Sequence, residues 1–309
     1  MSSSGARVWA ALLVVYAVWG STYLGIELAV RTLPPFLMLA ARFLIAGTLL
    51  YVWVAVRDRR LLRPPSLHEW RAALVVGGAL LLIGNGTVAW AEDRGVETGT
   101  AALIIASVPL WLALLDRVLY GQRLGLAIVA GLVVGFGGVA LLVAPGGGGS
   151  DRVGELSLIG SALAWALGSL YSRRAPSPSP LLGAAMQMLA GGALLVVFGL
   201  AVGEGGELRA SEVSAASLGG LAYLVVFGSL LGFTAYIWLL RTAPTSLVST
   251  YAYVNPVVAV LLGSVVLDEA LSWRVVAGGG IVIAAVALIV TRPRMRAPKV
   301  AAGIPARGR

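Results

Sequence analysis

Cysteine is absent from this chain and histidine occurs once, at His68. The first absence removes disulfides, thiol nucleophiles, iron–sulfur clusters and Cys-type zinc sites. The second removes bis-histidine haem ligation and any histidine metal cluster, which argues against a respiratory electron carrier or a metalloprotease. His68, beside Glu69 and Arg71, reads as a solvated loop residue. Charge is scarce as well: 12% of residues are Asp, Glu, Lys or Arg, against about 25% in soluble domains. No Walker motif or phosphate-binding loop occurs, so ATP-driven work by this chain alone is not expected. No cofactor and no metal is expected either.

What fills the chain is apolar, 59% of 309 residues. The apolar residues run in unbroken stretches of 17 to 23, the length that crosses roughly 30 Å of hydrocarbon as a helix. Ten such stretches occur: Val8 to Ala29, Pro35 to Val56, Ala72 to Ala91, Thr98 to Leu115, Leu124 to Ala144, Leu156 to Ser172, Leu181 to Val202, Leu218 to Leu240, Ser246 to Leu267 and Val275 to Thr291. The expected fold is an all-α integral membrane protein of ten transmembrane helices. The first stretch exceeds a signal-peptide core and is read as a retained helix. The loops are mostly 5 to 15 residues, too short for an appended enzyme, so function must reside in the bundle.

The net charge of +9 is topological. With a cytoplasmic N-terminus, 17 Lys and Arg residues fall on the inner side, and only Arg31, Arg94, Arg152, Arg209 and Arg274 fall outside. This positive-inside bias predicts both termini in the cytoplasm, the bilayer as partner and no nucleic-acid partner. The tail over 292–309 is basic and rich in Pro and Ala, and is expected to be disordered near anionic lipid.

The chain also repeats. Moving it by 147 residues places Pro109 on Pro256, Leu124 on Leu271, Gly131 on Gly278 and Val143 on Val290. Moving it by 146 places Trp19 on Trp165. Two five-helix repeats, 8–144 and 153–291, are expected on either side of the glycine linker Pro145 to Ser150. An odd helix number turns the second repeat upside down, the plan of many secondary transporters. Channels also contain repeats, so that class stays open.

Several motifs then carry a resemblance. Trp19-Gly-Ser-Thr-Tyr23, Arg42-Phe-Leu, Gly84-Asn-Gly86 with Ala91-Glu92, Ala101-Ala102 with Val108-Pro109-Leu110, and Trp165-Ala166 with Gly168-Ser169 are among them. The segment Tyr251 to Gly263, followed by Glu269 and Leu271, is the most specific. Over residues 8–291 the chain resembles the EamA branch of the drug/metabolite transporter superfamily, closest in pattern to its YedA-like exporters. The resemblance implies two inverted five-helix repeats around a central cavity, no catalytic residues, and export of amino acids, related metabolites or drug-like compounds across the inner membrane. Two features depart from that family: Gln122 stands where a Glu often follows helix four, and Glu27 and Arg31 are peculiar to this chain. A mechanism needing a carboxylate in both repeats is therefore not expected.

Ionisable groups inside hydrocarbon are functional candidates because burying them unpaired is costly. Arg42 and Glu27 qualify; they either pair with one another or snorkel to the outer interface, or Arg42 faces the cavity as an anion-binding group. Asn85, Gln187 and Asn255 need hydrogen-bond partners, which a substrate or a neighbouring helix would supply. Pro256 frees the carbonyl near Tyr251 and Ala252, and Pro109 is its counterpart, so a symmetric pair of kinks is expected. Trp19, Tyr23, Trp165, Tyr251 and Tyr253, with Trp90, Trp111, Tyr171 and Tyr236, either wall a cavity or anchor helix ends. Trp9, Trp53, Trp70 and Trp273 fit the interfacial role. Glu27, Glu92 and Glu269 are the groups available for proton coupling. Gly131, Gly135, Gly138 and Gly278 to Gly280 put small faces on helices five and ten, for a scaffold or a homodimer contact. A membrane enzyme or lipid-handling protein is the remaining alternative, and no paired intramembrane carboxylates, histidines or cysteines exist to build a catalytic centre.

Overall fold

A computed structural model describes residues 3–57, 64–121, 124–144, 151–209, 211–243, 245–248 and 250–291. Gln122, the linker Pro145 to Ser150 and the tail over 292–309 lie outside the described residues. Among the described residues every regular element is helical. In chain order these are α1 (Ser3–Val30), α2 (Pro35–Arg57), α3 (Leu67–Gly77), the π-helical segment π1 (Gly78–Asn85), α4 (Gly86–Asp93), α5 (Thr98–Ile105), α6 (Val108–Tyr120) and α7 (Leu126–Leu142). Then come α8 (Arg152–Ser172), α9 (Pro180–Ala201), α10 (Glu204–Glu207), α11 (Ala215–Tyr223), π2 (Leu224–Leu231), α12 (Gly232–Thr242), α13 (Thr245–Val248), α14 (Tyr251–Val266) and α15 (Trp273–Thr291).

Local sequence explains the ends. Pro180 opens α9 from the first turn, where its missing N–H costs nothing, and the Ser179 hydroxyl accepts the Leu182 N–H. Ser66 and Glu69 form a reciprocal capping box on α3. Gly121, left-handed at φ 64°, ends α6. His68, in the first turn of α3 rather than in a loop, is exposed.

Eight helical runs are long and apolar enough to cross a membrane, which makes this a multi-pass membrane protein. The continuous run α3–π1–α4 over 67–93 is one, and α5–α6 over 98–120 is another. Two of the ten expected spans fall short: α7 has 17 residues and α14 has 16. At 1.5 Å per residue, 16 residues cover about 24 Å, less than the roughly 30 Å of hydrocarbon. The shortfall of α14 comes from a break in the chain's helix before Tyr251, which separates α13 from it.

Packing runs between the N-terminal set, α1–α7, and the C-terminal set, α8–α15. The pair α2 and α9 and the pair α7 and α15 make the largest interfaces, and α1 lies on α14, α11 and α12. Glycine permits the closest of these approaches. A Cβ on Gly77 of α3 would lie 2.7 Å from the Gln187 carbonyl oxygen of α9. A Cβ on Gly138 of α7 would lie 3.0 Å from the Gly278 carbonyl oxygen of α15. Within the chain, Gly131, Gly135, Gly138 and Gly278 of the small faces on α7 and α15 face the partner helix.

The two π-segments are related by the same offset as the tryptophans, since π2 begins 146 residues after π1. A π-turn widens the helix and leaves carbonyls poorly paired within it. Side chains supply the missing donors. Asn85 donates its amide to the Leu80 carbonyl at 3.1 Å, and Ser161 of α8 donates to the Gly84 carbonyl at 2.9 Å. Trp19 of α1 donates its indole N–H to the Gly228 carbonyl of π2 at 3.2 Å. Trp165 of α8 lies against π1, 2.7 Å from where a Cβ on Gly84 would stand. Each tryptophan thus rests on the π-turn of the other helix set.

Candidate functional site

The aromatic residues gather around Trp19. Its ring lies 5.0 Å from that of Tyr236, 5.3 Å from Tyr251 and 5.7 Å from Phe233, centroid to centroid. Tyr236 and Tyr251 meet edge to face at 5.6 Å. One turn away the Tyr16 and Thr250 hydroxyls are hydrogen-bonded. The cluster therefore joins α1, α12 and α14 and includes Trp19, Tyr236 and Tyr251, three of the residues singled out from sequence. Tyr253, two positions from Tyr251, points to a different side of α14 and packs on the main core. Trp165 stands apart on π1. Trp111 packs edge to face on Phe136 at 4.7 Å, and Trp90 lies under the Arg94 guanidinium at 4.9 Å. Trp9, Trp53 and Trp273 are exposed at the helix ends.

Arg42 is only 5% exposed. Its Nε donates to the Ser229 hydroxyl of π2 at 3.0 Å, and Nη1 is buried without a partner. Of the alternatives for Arg42, pairing with Glu27 does not form. Glu27 meets Arg31 instead, at 3.6 Å and one turn along the same helix, an i,i+4 contact that needs no tertiary approach. Arg42 meanwhile turns toward π2, where a Cβ on Gly228 would lie 3.2 Å from Nη2 and 3.1 Å from the Thr22 methyl.

The acidic candidates divide by what satisfies them. Glu269 accepts the Thr98 N–H at 2.7 Å and the Gly99 N–H at 3.0 Å, so it caps α5 from the far helix set. Glu204, which nothing in the sequence singled out, does the same for α2, accepting the Phe36 and Leu37 N–H groups at 3.0 and 2.8 Å. Glu92 is 2% exposed and neither of its oxygens has a hydrogen-bond partner. Asn255 is buried with Oδ1 unpartnered. Gln187 borders a cleft of about 20 Å³ between the start of α3 and the turn from α8 to α9, lined also by Glu69, Ser172 and Pro176. The two proline kinks are unlike: Pro109 starts α6 just after a break at Ala106 and Ser107, whereas Pro256 stands inside a continuous α14. Among the described residues no group of His, Cys, Asp and Glu is disposed to hold a metal.

The EamA-like transporter family model matches the chain twice, over residues 7–144 and 152–291. The chain belongs to the EamA-like transporter family. One relative, the uncharacterized inner membrane transporter YedA of Escherichia coli (strain K12), is 35% identical over 282 residues, covering 91% of this chain and 90% of its own. Another, the uncharacterized transporter YvbV of Bacillus subtilis (strain 168), is 27% identical and covers 92% of each chain. A solved crystal structure shares the fold with a TM-score of 0.62 at 23% identity, covering 93% of this chain and 97% of that one.

Within this EamA-like fold, sequence reasoning missed Phe233, Ser229 and Glu204. Phe233 carried a weak signal, lying three residues before Tyr236 on the same helix face. A further tie between the helix sets lies on the surface, where Arg94 pairs with Asp151 at the start of α8. The guanidinium first, then the Val153 and Gly154 N–H groups, hold the Asp151 carboxyl below the usual carboxylate range. A carboxyl depressed on folding stabilises the protein above its unfolded value, about 4, and that contribution is lost as pH falls through the folded value. Asp151→Asn is expected to flatten the acid loss of thermal stability below about pH 4. The difference should shrink in high salt, because the pair is exposed; thermal scans from pH 5 downward measure it.

Proposed function

We propose that this EamA-like protein is an inner-membrane secondary transporter that exports small organic solutes, such as amino acids, related metabolites or drug-like compounds, by alternating access. Both termini lie in the cytoplasm in this reading, α7 and α14 complete ten spans, and the second repeat is inverted relative to the first. The observation that carries it is the crossed seating of Trp19 on π2 and Trp165 on π1. Two contacts, a hydrogen bond in one case and ring packing in the other, each joining one helix set to a weakened turn of the other, are what two alternately tightening gates require. The Trp19, Phe233, Tyr236 and Tyr251 rings form the wall against which an apolar or cationic body would rest. Asn85, Gln187, Asn255 and Tyr253, with Tyr23, are the remaining groups of the pathway. The kinks at Pro109 and Pro256 mark where its helices bend.

Of the three carboxyls available for coupling, Glu27 is engaged by Arg31 and Glu269 by backbone amides. Glu92 is left as the group to carry a proton.

Counterflow in proteoliposomes tests the reading, with labelled threonine, phenylalanine and a cationic dye. Wild type is expected to exchange at least one of them saturably. Trp19→Ala should lose about tenfold in exchange, the value of one or two ring contacts. Glu92→Gln should exchange normally but lose the response of uphill transport to a pH gradient. Flux that never saturates would replace the carrier by a channel, and absence of any flux by folded protein would remove these solutes from the assignment.

A further inference from the structure

We propose that Arg42 is an anchor for a single carboxylate on the solute, a proposal that rests on the transporter reading above only for the claim that the bound molecule is transported.

A guanidinium keeps its proton under any physiological condition, so burial cannot neutralise it. A buried arginine therefore needs an anion. Among the described residues no carboxylate lies within 4.0 Å of Arg42: Glu27 is taken by Arg31, Glu269 and Glu204 are held by helix N-termini, and Glu92 makes no contact with it. What Arg42 does have is support on one side. Its Nε is fixed by Ser229, its Cζ lies 4.8 Å from the Phe43 ring centre, and its Nη2 rests at Gly228, where any side chain would crowd it. These contacts orient the planar fork and leave Nη1, buried and unpartnered, as a free donor. That is a pre-set half of a guanidinium–carboxylate pair.

The neighbours narrow the ligand. Gly228 presents its carbonyl to the Trp19 indole and its α-carbon to Arg42, so the cationic fork and the aromatic cluster share one π-turn. A molecule touching both carries its carboxylate at one end and an apolar or aromatic body at the other. The chain has one lysine, Lys299, outside the described residues, and among the described residues Arg42 is the only buried arginine. One fixed positive charge suits a monoanionic carboxylate and not a phosphate dianion.

The test is thermal unfolding of the purified full-length protein in detergent, at one ionic strength set with sodium sulfate. The probes are sodium benzoate, L-phenylalanine, its decarboxylated twin phenethylamine, and sodium chloride. Benzoate and phenylalanine are expected to raise the melting temperature saturably, while phenethylamine and chloride do not. Arg42→Met should abolish the shift and melt no lower than ligand-free wild type, since it removes an unpaired buried charge. Arg42→Lys, which keeps the charge but not the fork, should weaken the apparent Kd for benzoate more than tenfold. The proposal is overturned by a benzoate shift that survives in Arg42→Met, by chloride acting as well as benzoate, or by no saturable shift from either carboxylate. Because melting reads binding and counterflow reads movement, a protein that binds benzoate but exchanges nothing would remove the tested solutes from the export assignment and leave the anchor standing.

Discussion

Gly77→Ala is expected to lower the melting temperature of the purified protein by roughly 5 °C, from an overpacking cost of about 1–3 kcal/mol. The added methyl would stand 2.7 Å from the Gln187 carbonyl oxygen and 2.8 Å from the Gly191 nitrogen. Both are backbone atoms of α9, so no side-chain rotation relieves the clash; α3 must slide away from α9. That movement also disturbs the next turn, where Leu81, the first buried residue of π1, packs against Gly191 of the same helix α9. Gly137 supplies the control. It is exposed in the middle of α7, and a methyl placed there would meet nothing within 4 Å, so Gly137→Ala should leave the melting temperature unchanged or raise it slightly through helix propensity. Equal melting of the two variants would show that the α3–α9 contact yields without cost.

Glu269→Ala is expected to cost about 2–3 kcal/mol, the worth of charge-assisted hydrogen bonds to buried donors left unsatisfied. Thr98 and Gly99 begin α5 and have no intrahelical acceptors for their N–H groups; the Glu269 carboxylate is their partner. The carboxylate reaches them only because residue 263 is glycine, since a Cβ there would stand 2.2 Å from Oε2. Gly263→Ala should therefore reproduce most of the loss without touching the carboxylate itself. Chemical denaturation gives the energies, and amide exchange at Thr98 and Gly99 should quicken in both variants. Unchanged exchange at these two amides in Glu269→Ala would refute the capping role.

The apolar stretches placed the helices well because hydrocarbon-spanning length is written directly in composition. The interior of those helices was harder to read. A π-turn inserts one residue into a helix, and in Gly78 to Asn85, apolar nearly throughout, no change of period marks the insertion. The equivalence of Trp19 and Trp165 was visible in the repeat, but that each would rest on the opposite π-turn depends on how the two helix sets face one another. Arg42 stood out in sequence as a charge inside a helix. Pairing with Glu27 was one of the alternatives open for it, and the i,i+4 spacing of Glu27 and Arg31 already argued against that one. Glu204 was invisible for a different reason: in Gly203-Glu-Gly-Gly-Glu207 it resembles a solvated loop carboxyl, and only the approach of the α2 N-terminus gives it donors to accept from. Pro109 and Pro256 have the same residue at the same repeat position and different outcomes, because the helix breaks just before one and runs through the other.

The interleaving of the two helix sets also has a consequence in time. On the ribosome α2 is made about 145 residues before α9, and α7 about 147 residues before α15, the helices each must rest against. At roughly 5–20 residues per second, several seconds pass in which an early helix sits in the bilayer with its glycine face turned to lipid tails. The α7–α15 interface closes only after α15 has emerged, so truncation of α15 forfeits the packing of a helix made long before.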